Sequence, residues 1–250
     1  MDRLTMTAAG GMRARMESLE MLANNLANVS TAGYKVDRES YSLYVAPEAM
    51  APDSSDASRP ATTLPLIERQ WTDLAQGVIT PTGNPLDLAI SGKGFFAVSG
   101  PAGALYTRHG GFRLSSKGVL ETKQGYAVRA TGGRLIEAEP GKPLDISSDG
   151  IVRQAGRELG QLEIVDLGQS SGLEKRDGLY FKFSPGSGTP PQPSSAEVVQ
   201  GKLESSNVGA AESAVRLVGV LRQFETLQRA LALGGEMNRR GFEEVAKVNP

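Results

Sequence analysis

The sequence predicts an α+β fold, with long N- and C-terminal helices forming a coiled-coil-like core layer and a mainly β central domain. Three observations carry this. Leu4, Ala8, Met12, Met16, Leu19, Ala23 and Leu26 recur at steps of three and four, the period of a helix with one apolar face. Leu217, Leu221, Phe224, Leu231, Phe242 and Val245 follow a heptad-like spacing, interrupted at Gln228, Gly235 and Asn238. Between these segments, short extended runs are separated by glycine-rich turns roughly every 8–12 residues, the rhythm of an antiparallel β domain.

The first helix places Arg13, Glu17 and Glu20 away from its apolar stripe. It should end near Asn28, because Ser30-Thr31-Ala32-Gly33 is turn chemistry and Gly33 can supply the positive φ that closes it. Asn24, Asn25 and Asn28 are poor helix formers, so capping or packing must hold this end. Lys35–Val45 alternates through Tyr41, Leu43 and Val45 as a short strand does. Residues 36–65 otherwise read as loop, with Pro47, Pro52, Pro60 and Pro65 around Asp53-Ser54-Ser55-Asp56. Residues 66–183 form the β-rich domain. Its clearest strands are Leu86–Ile90, Phe95–Val98 and Tyr126–Val128, punctuated by Gly100-Pro101-Ala102-Gly103 and Lys123-Gln124-Gly125. Residues 184–197 are a Pro/Gly/Ser linker. Val198–Leu203 reads as a last strand, after which Asn207 is positioned to cap the long helix and Glu212 to favour its N-terminal dipole. Residues 1–35 and 198–250 together make a terminal helical domain.

The length of the last helix bears on function. From Ala210 to Lys247 it would span about 57 Å, whereas a compact chain of this size has a radius of gyration of about 18 Å. The N-terminal helix, about 37 Å long, covers only part of that seam. Each Leu or Phe buried along it contributes roughly 1.5–3 kcal/mol, so the remainder is expected to be buried by other chains.

Composition excludes several function classes. The 27 basic and 28 acidic residues nearly cancel, which argues against a nucleic-acid surface. Cysteine is absent and His109 is the only histidine, so neither a disulfide framework nor a usual zinc site is available. No nucleophile-elbow sequence accompanies His109, and Gly92-Lys93-Gly94 lacks the spacing of a phosphate loop. Asp87 reads as a turn or ladder hydrogen-bonding group and Trp71 as a packing anchor. No catalytic residue, metal site or cofactor is expected. No apolar run reaches the ~20 residues needed to span a bilayer, and no secretory signal pattern is visible.

The chain resembles the bacterial flagellar rod and hook proteins in three ordered blocks. The first is Ala23-Asn24-Asn25-Leu26-Ala27-Asn28 with Thr31, Gly33, Tyr34 and Lys35. The second runs from Pro85-Leu86-Asp87-Leu88-Ala89-Ile90 through Gly94-Phe95-Phe96, Tyr106-Thr107-Arg108 and Gly111-Phe112 to Gly125-Tyr126. The third is Gln200-Gly201-Lys202-Leu203-Glu204, Ser206-Asn207-Val208 and the helix carrying Arg222, Phe224 and Glu225. Within the family the chain is most similar to proximal-rod members, with distal-rod members as near relatives. The resemblance implies a non-enzymatic subunit of the basal-body rod that assembles helically with its own copies and other rod proteins to transmit torque. It also implies export through the flagellar type III apparatus without a cleaved signal, and residence in the rod across the periplasmic space. The expected assembly contacts are Leu19, Leu22, Asn24, Asn25, Leu26, Asn28, Gly33, Asn207, Leu217, Leu221, Phe224, Leu231 and Phe242. The rival readings are a distal-rod or hook subunit, a hydrolase or binding domain on a helical oligomerisation stalk, and a cytoplasmic coiled-coil adaptor.

Overall fold

The computed structural model describes residues 3–45, 63–168, 172–184 and 190–248; within them the side chains of 3–7, 43–45, 63–66, 238 and 241–248 are outside the described set. Helices stand at both ends of a mainly β central region. The chain divides into two compact units, one of Met1–Ala27, Asp37–Asp73 and Gly209–Pro250, the other of Asn28–Val36 and Leu74–Val208.

The first unit contains helix α1 (Arg3–Ala27), strands β1 (Asp37–Val45) and β2 (Thr63–Thr72), and a C-terminal helix, α2 (Ala210–Val248). Most of the Ala46–Pro65 run read as loop lies outside the described residues, but its end opens β2. The two strands pair antiparallel from Asp37↔Thr72 to Val45↔Thr63, with a bulge where Ser40 faces Arg69 and Tyr41 faces Ile67. α1 packs on this hairpin and on α2. Its buried face runs along Ala8, Gly11, Ala14, Ser18, Leu22 and Asn25. That is about a quarter turn away from the apolar stripe read in the sequence. The reason is steric and polar: small residues let the helix approach closely, and two buried polar side chains find partners on β1. Ser18 Oγ donates to Glu39 at 2.5 Å, and Asn25 donates to Asp37 O at 2.8 Å while accepting from Asp37 N at 3.0 Å. Asn25 thus behaves as one rung of strand pairing and ends the helix on the hairpin. Trp71 is not a buried anchor: it is 39% exposed on β2, with the Arg69 guanidinium 5.9 Å from its ring.

Asn207 does not cap α2. The helix begins at Ala210, and Ser213 N donates to Gly209 O at 2.9 Å, which makes Gly209 the first acceptor. Asn207 stands too far upstream, and its amide is used elsewhere.

The second unit is antiparallel β throughout its named strand pairs. After β3 (Ile79–Pro81) and β4 (Leu88–Ser91), strands β5 (Phe95–Gly100) and β6 (Gly103–Thr107) form a hairpin in register from Phe96↔Thr107 to Gly100↔Gly103. β5 also pairs with Ala127–Val128 and Ile164–Asp166. β4 pairs with Glu197–Gln200 and β3 with Lys202–Glu204, so the expected last strand is two strands parted at Gly201, where φ is +72°. Leu88, Ala89 and Ile90 are all buried, which an alternating strand with one wet face would not allow. The main core gathers Leu88, Ile90, Phe96, Val98, Leu120, Val128, Ile136 and Val152, with Phe96 and Phe112 edge to face at 5.2 Å. A smaller cluster holds Phe95, Val165, Leu167 and Phe181. Part of the run read as linker joins the sheet, because Gln192–Pro193 pairs with Val165 and Asp166.

Candidate assembly site

In the helical unit, apolar residues remain uncovered on both helices. On α2, Ser213 is buried and Leu217, Phe224 and Leu231 are half-buried. At about 100° per residue these four share one side. Val215, Val218, Leu233 and Met237 share the opposite side, where Val215 and Met237 are each 73% exposed and Leu233 61%. Leu221 is also exposed, at 42%. On α1 the stripe read from the sequence lies beside the buried face, with Met16 50% exposed and Met12, Leu19 and Leu26 half-buried. Isolated exposed apolar residues are ordinary; here they form two pairs, Val215–Val218 and Leu233–Met237, with exposed Arg222, Glu225, Thr226 and Arg229 on the same side between them. Ion pairs such as Arg13–Glu17 and Glu236–Arg240 run along the same helices at 3.1 and 2.5 Å; being exposed, they add little stability.

The β unit contains a buried charged cluster around Glu204. Lys35 Nζ donates to Glu204 Oε1 at 2.6 Å and to Ala75 O at 2.6 Å. Arg108 Nη1 donates to Glu204 Oε2 at 3.0 Å and to Ile90 O at 3.0 Å. Gly77 N donates to Glu204 Oε1 at 2.9 Å. The Lys35 and Glu204 side chains are wholly buried, and that of Arg108 is 3% exposed. Burial pushes the Arg108 pKa down, and the Glu204 carboxylate opposes that shift. Such a cluster is not in itself a large source of stability, but removing one partner strands the others.

The segment Asn28–Val36 is fixed against this cluster. Gly33 N donates to Glu204 O at 2.7 Å. Gly33 has φ +69°, and a Cβ there would stand 2.4 Å from His109 N and 2.5 Å from Arg108 C, so both conformation and space demand glycine. His109 Nδ1 donates to Ala32 O at 3.0 Å, and burial lowers the pKa of the imidazole. Tyr34 is fully buried; the Lys175 ammonium sits 3.9 Å from its ring centroid and donates to Lys35 O at 2.6 Å. Asn207 completes the arrangement: its Oδ1 accepts from Val36 N at 2.7 Å and its Nδ2 donates to Ala75 O at 3.0 Å.

The residues expected to make assembly contacts therefore separate. Leu19, Leu22, Asn24, Asn25 and Leu26 lie on α1, and Leu217, Leu221, Phe224 and Leu231 on α2. Leu22 and Asn25 are buried within their own chain, while Asn24 is exposed. Asn28, Gly33 and Asn207 belong to the β unit. There Asn28 Oδ1 accepts from Thr31 Oγ1 at 3.1 Å. The side chain of Phe242 lies outside the described residues. The cluster of Lys35, Arg108 and Glu204 escapes sequence reasoning because its members are far apart in the chain. One signal was available: each of the three sequence blocks carries one of these charges.

Known families match the chain in the same three places. Residues 6–35 match the family described as flagella basal body rod protein, residues 89–154 the flagellar hook protein FlgE/F/G D1 domain, and residues 199–249 the flagellar basal body rod FlgEFG protein C-terminal. The flagellar basal-body rod protein FlgF of Caulobacter vibrioides is 34% identical over 237 residues, covering 92% of this chain and 93% of that one. FlgG of Agrobacterium fabrum is 31% identical, covering 92% of this chain and 94% of its own. FlgF of Mesorhizobium japonicum is 28% identical over 87% of each chain. With matches at both ends and in the middle, and relatives aligned over nearly their whole length, the chain belongs to the flagellar basal-body rod protein family and is a structural subunit of that rod.

Proposed function

We propose that this subunit builds the proximal part of the rod, assembling helically so that its terminal helices complete their apolar faces against other copies and neighbouring rod proteins. The observation that carries this reading is the two uncovered apolar pairs on α2, Val215–Val218 and Leu233–Met237, together with Met16 on α1, in the same unit. The exposed Val215, Val218 and Leu221 and, further along, Leu233 and Met237 then form a coiled-coil-like seam between subunits, while Leu217, Phe224 and Leu231, on the other side of the helix, stay half-buried within the chain. Head-to-tail contacts of this kind extend into a filament because the symmetry does not close. Twisting such a filament strains many interdigitated helices together, which is how a drive shaft resists torque. The reading includes no chemical step, passage through the flagellar type III export apparatus, and residence in the rod where it crosses the periplasmic space.

Val215→Asp and Leu221→Asp test it. Each charge placed in the seam should remove the chain from purified basal bodies while the β unit keeps its folded spectrum. Normal incorporation of both variants would overturn the shared-seam reading. A distal position is the second reading, supported by the FlgG relatives that match over a similar span. Crosslinking to axial neighbours in purified basal bodies separates the two.

A further inference from the structure

The chain passes between its two units four times, after residues 27, 36, 73 and 208. Within the β unit, the residues beside these crossings are gathered by two side chains. The Asn207 amide binds Val36 N and Ala75 O, and Asn207 N donates to Tyr34 O at 3.4 Å. Glu204 binds Lys35, which itself donates to Ala75 O, and through its backbone carbonyl accepts from Gly33 N. Segments next to three crossings are thus tied directly to one another. The remaining one, at Asn28, is held through the Asn28–Thr31 turn that leads into Gly33.

This arrangement is polar, and the apolar core is elsewhere. Tyr34 and Val208 are buried, yet neither belongs to the main core or to the smaller cluster around Phe95. No named strand includes residues 28–36.

We propose that Glu204 and Asn207 are positioning residues that lock the four crossings into a single joint, a cooperative unit separate from the β core, through which twisting load passes along the chain in the assembled rod. Four chain segments fixed at one place share a load in parallel, whereas four independent tethers would take it up one at a time. The load itself rests on the proposed role in the rod; the cooperativity of the joint does not.

Two measurements test this on the full chain. In native-state hydrogen exchange, Asn207→Ala should release amides that Asn207 does not touch. Gly33, Gly77 and Ser205 should exchange about 10- to 100-fold faster together, while Val98 and Leu120 in the core keep their protection. Glu204→Gln should do the same to Val36. Exchange confined to the amides bonded by the substituted side chain would overturn the joint, as would equal loss across the core. The second readout is rotation in motile cells. Glu204→Gln subunits should enter basal bodies in normal number, turn normally at low viscosity and fail at high viscosity. Unchanged rotation at high load, with the joint shown open by exchange, would overturn the mechanical role. Absence of even the unsubstituted chain from basal bodies would instead overturn the rod reading and leave the exchange result standing.

Discussion

The helical unit and the β unit satisfy their apolar residues in opposite ways. In the β unit, Phe96, Val98, Leu120 and Val152 have no exposed surface, and Leu88, Ala89 and Ile90 are buried one after another. In the helical unit, the buried face of α1 is built from Ala8, Gly11, Ala14 and Ser18, while larger side chains such as Met16, Val215 and Met237 face outward. One unit is finished within the chain; the other, in the proposed rod, is finished by what it meets. Hydrophobic burial is the dominant favourable term in both folding and association, and here the two processes draw on different parts of one molecule.

Substitutions should divide along the same line. The largest effect is expected for Phe96→Ala, which leaves a cavity beside Phe112 and should cost about 3–5 kcal/mol in chemical denaturation. A loss below 1 kcal/mol would mean that the β core is not closely packed. A smaller effect comes from His109. Its pKa is lowered by burial, with Ala32 O, Lys123 and Asp87 as further influences, so the folded chain binds the proton less readily than the unfolded chain does. Its stabilisation is present above the unfolded value of about 6.5 and is lost as pH falls through that value toward the folded one. The denaturation midpoint should therefore fall between pH 7 and pH 5, and His109→Gln should flatten that slope. The smallest effect on folding is expected for Val215→Ser, within about 0.5 kcal/mol in the isolated chain. The same variant should lower incorporation into basal bodies, measured by competition with the unsubstituted chain. If it instead destabilised the isolated chain as much as Phe96→Ala, the contrast between the units would collapse.

Much of this organisation is legible in the sequence. The three- and four-residue steps announce both helices, and the glycine turns announce the β middle, because both signals are local. The buried side of α1 is not legible, since it depends on Ser18 and Asn25 finding Glu39 and Asp37 on a strand that periodicity cannot place. Asn207 is misread for a similar reason: a residue shortly before a helix looks like a cap until Val36 and Ala75 arrive from distant parts of the chain. The Glu204 cluster is the extreme case, with partners in all three sequence blocks and no local pattern linking them.

The β1–β2 hairpin bears on how members of this family can diverge. Val45 is paired with Thr63, so residues 46–62 leave and return at one place on a ladder that is already closed. Closure entropy between two fixed ends changes by only about 0.6 kcal/mol when the connecting length doubles. The pairing below it is set by its bulge and by the bonds of Asp37 and Glu39 to α1, not by the connection. Residues 46–62 are therefore a place where this chain can gain or lose sequence, or carry an inserted label, at little cost to the fold beneath.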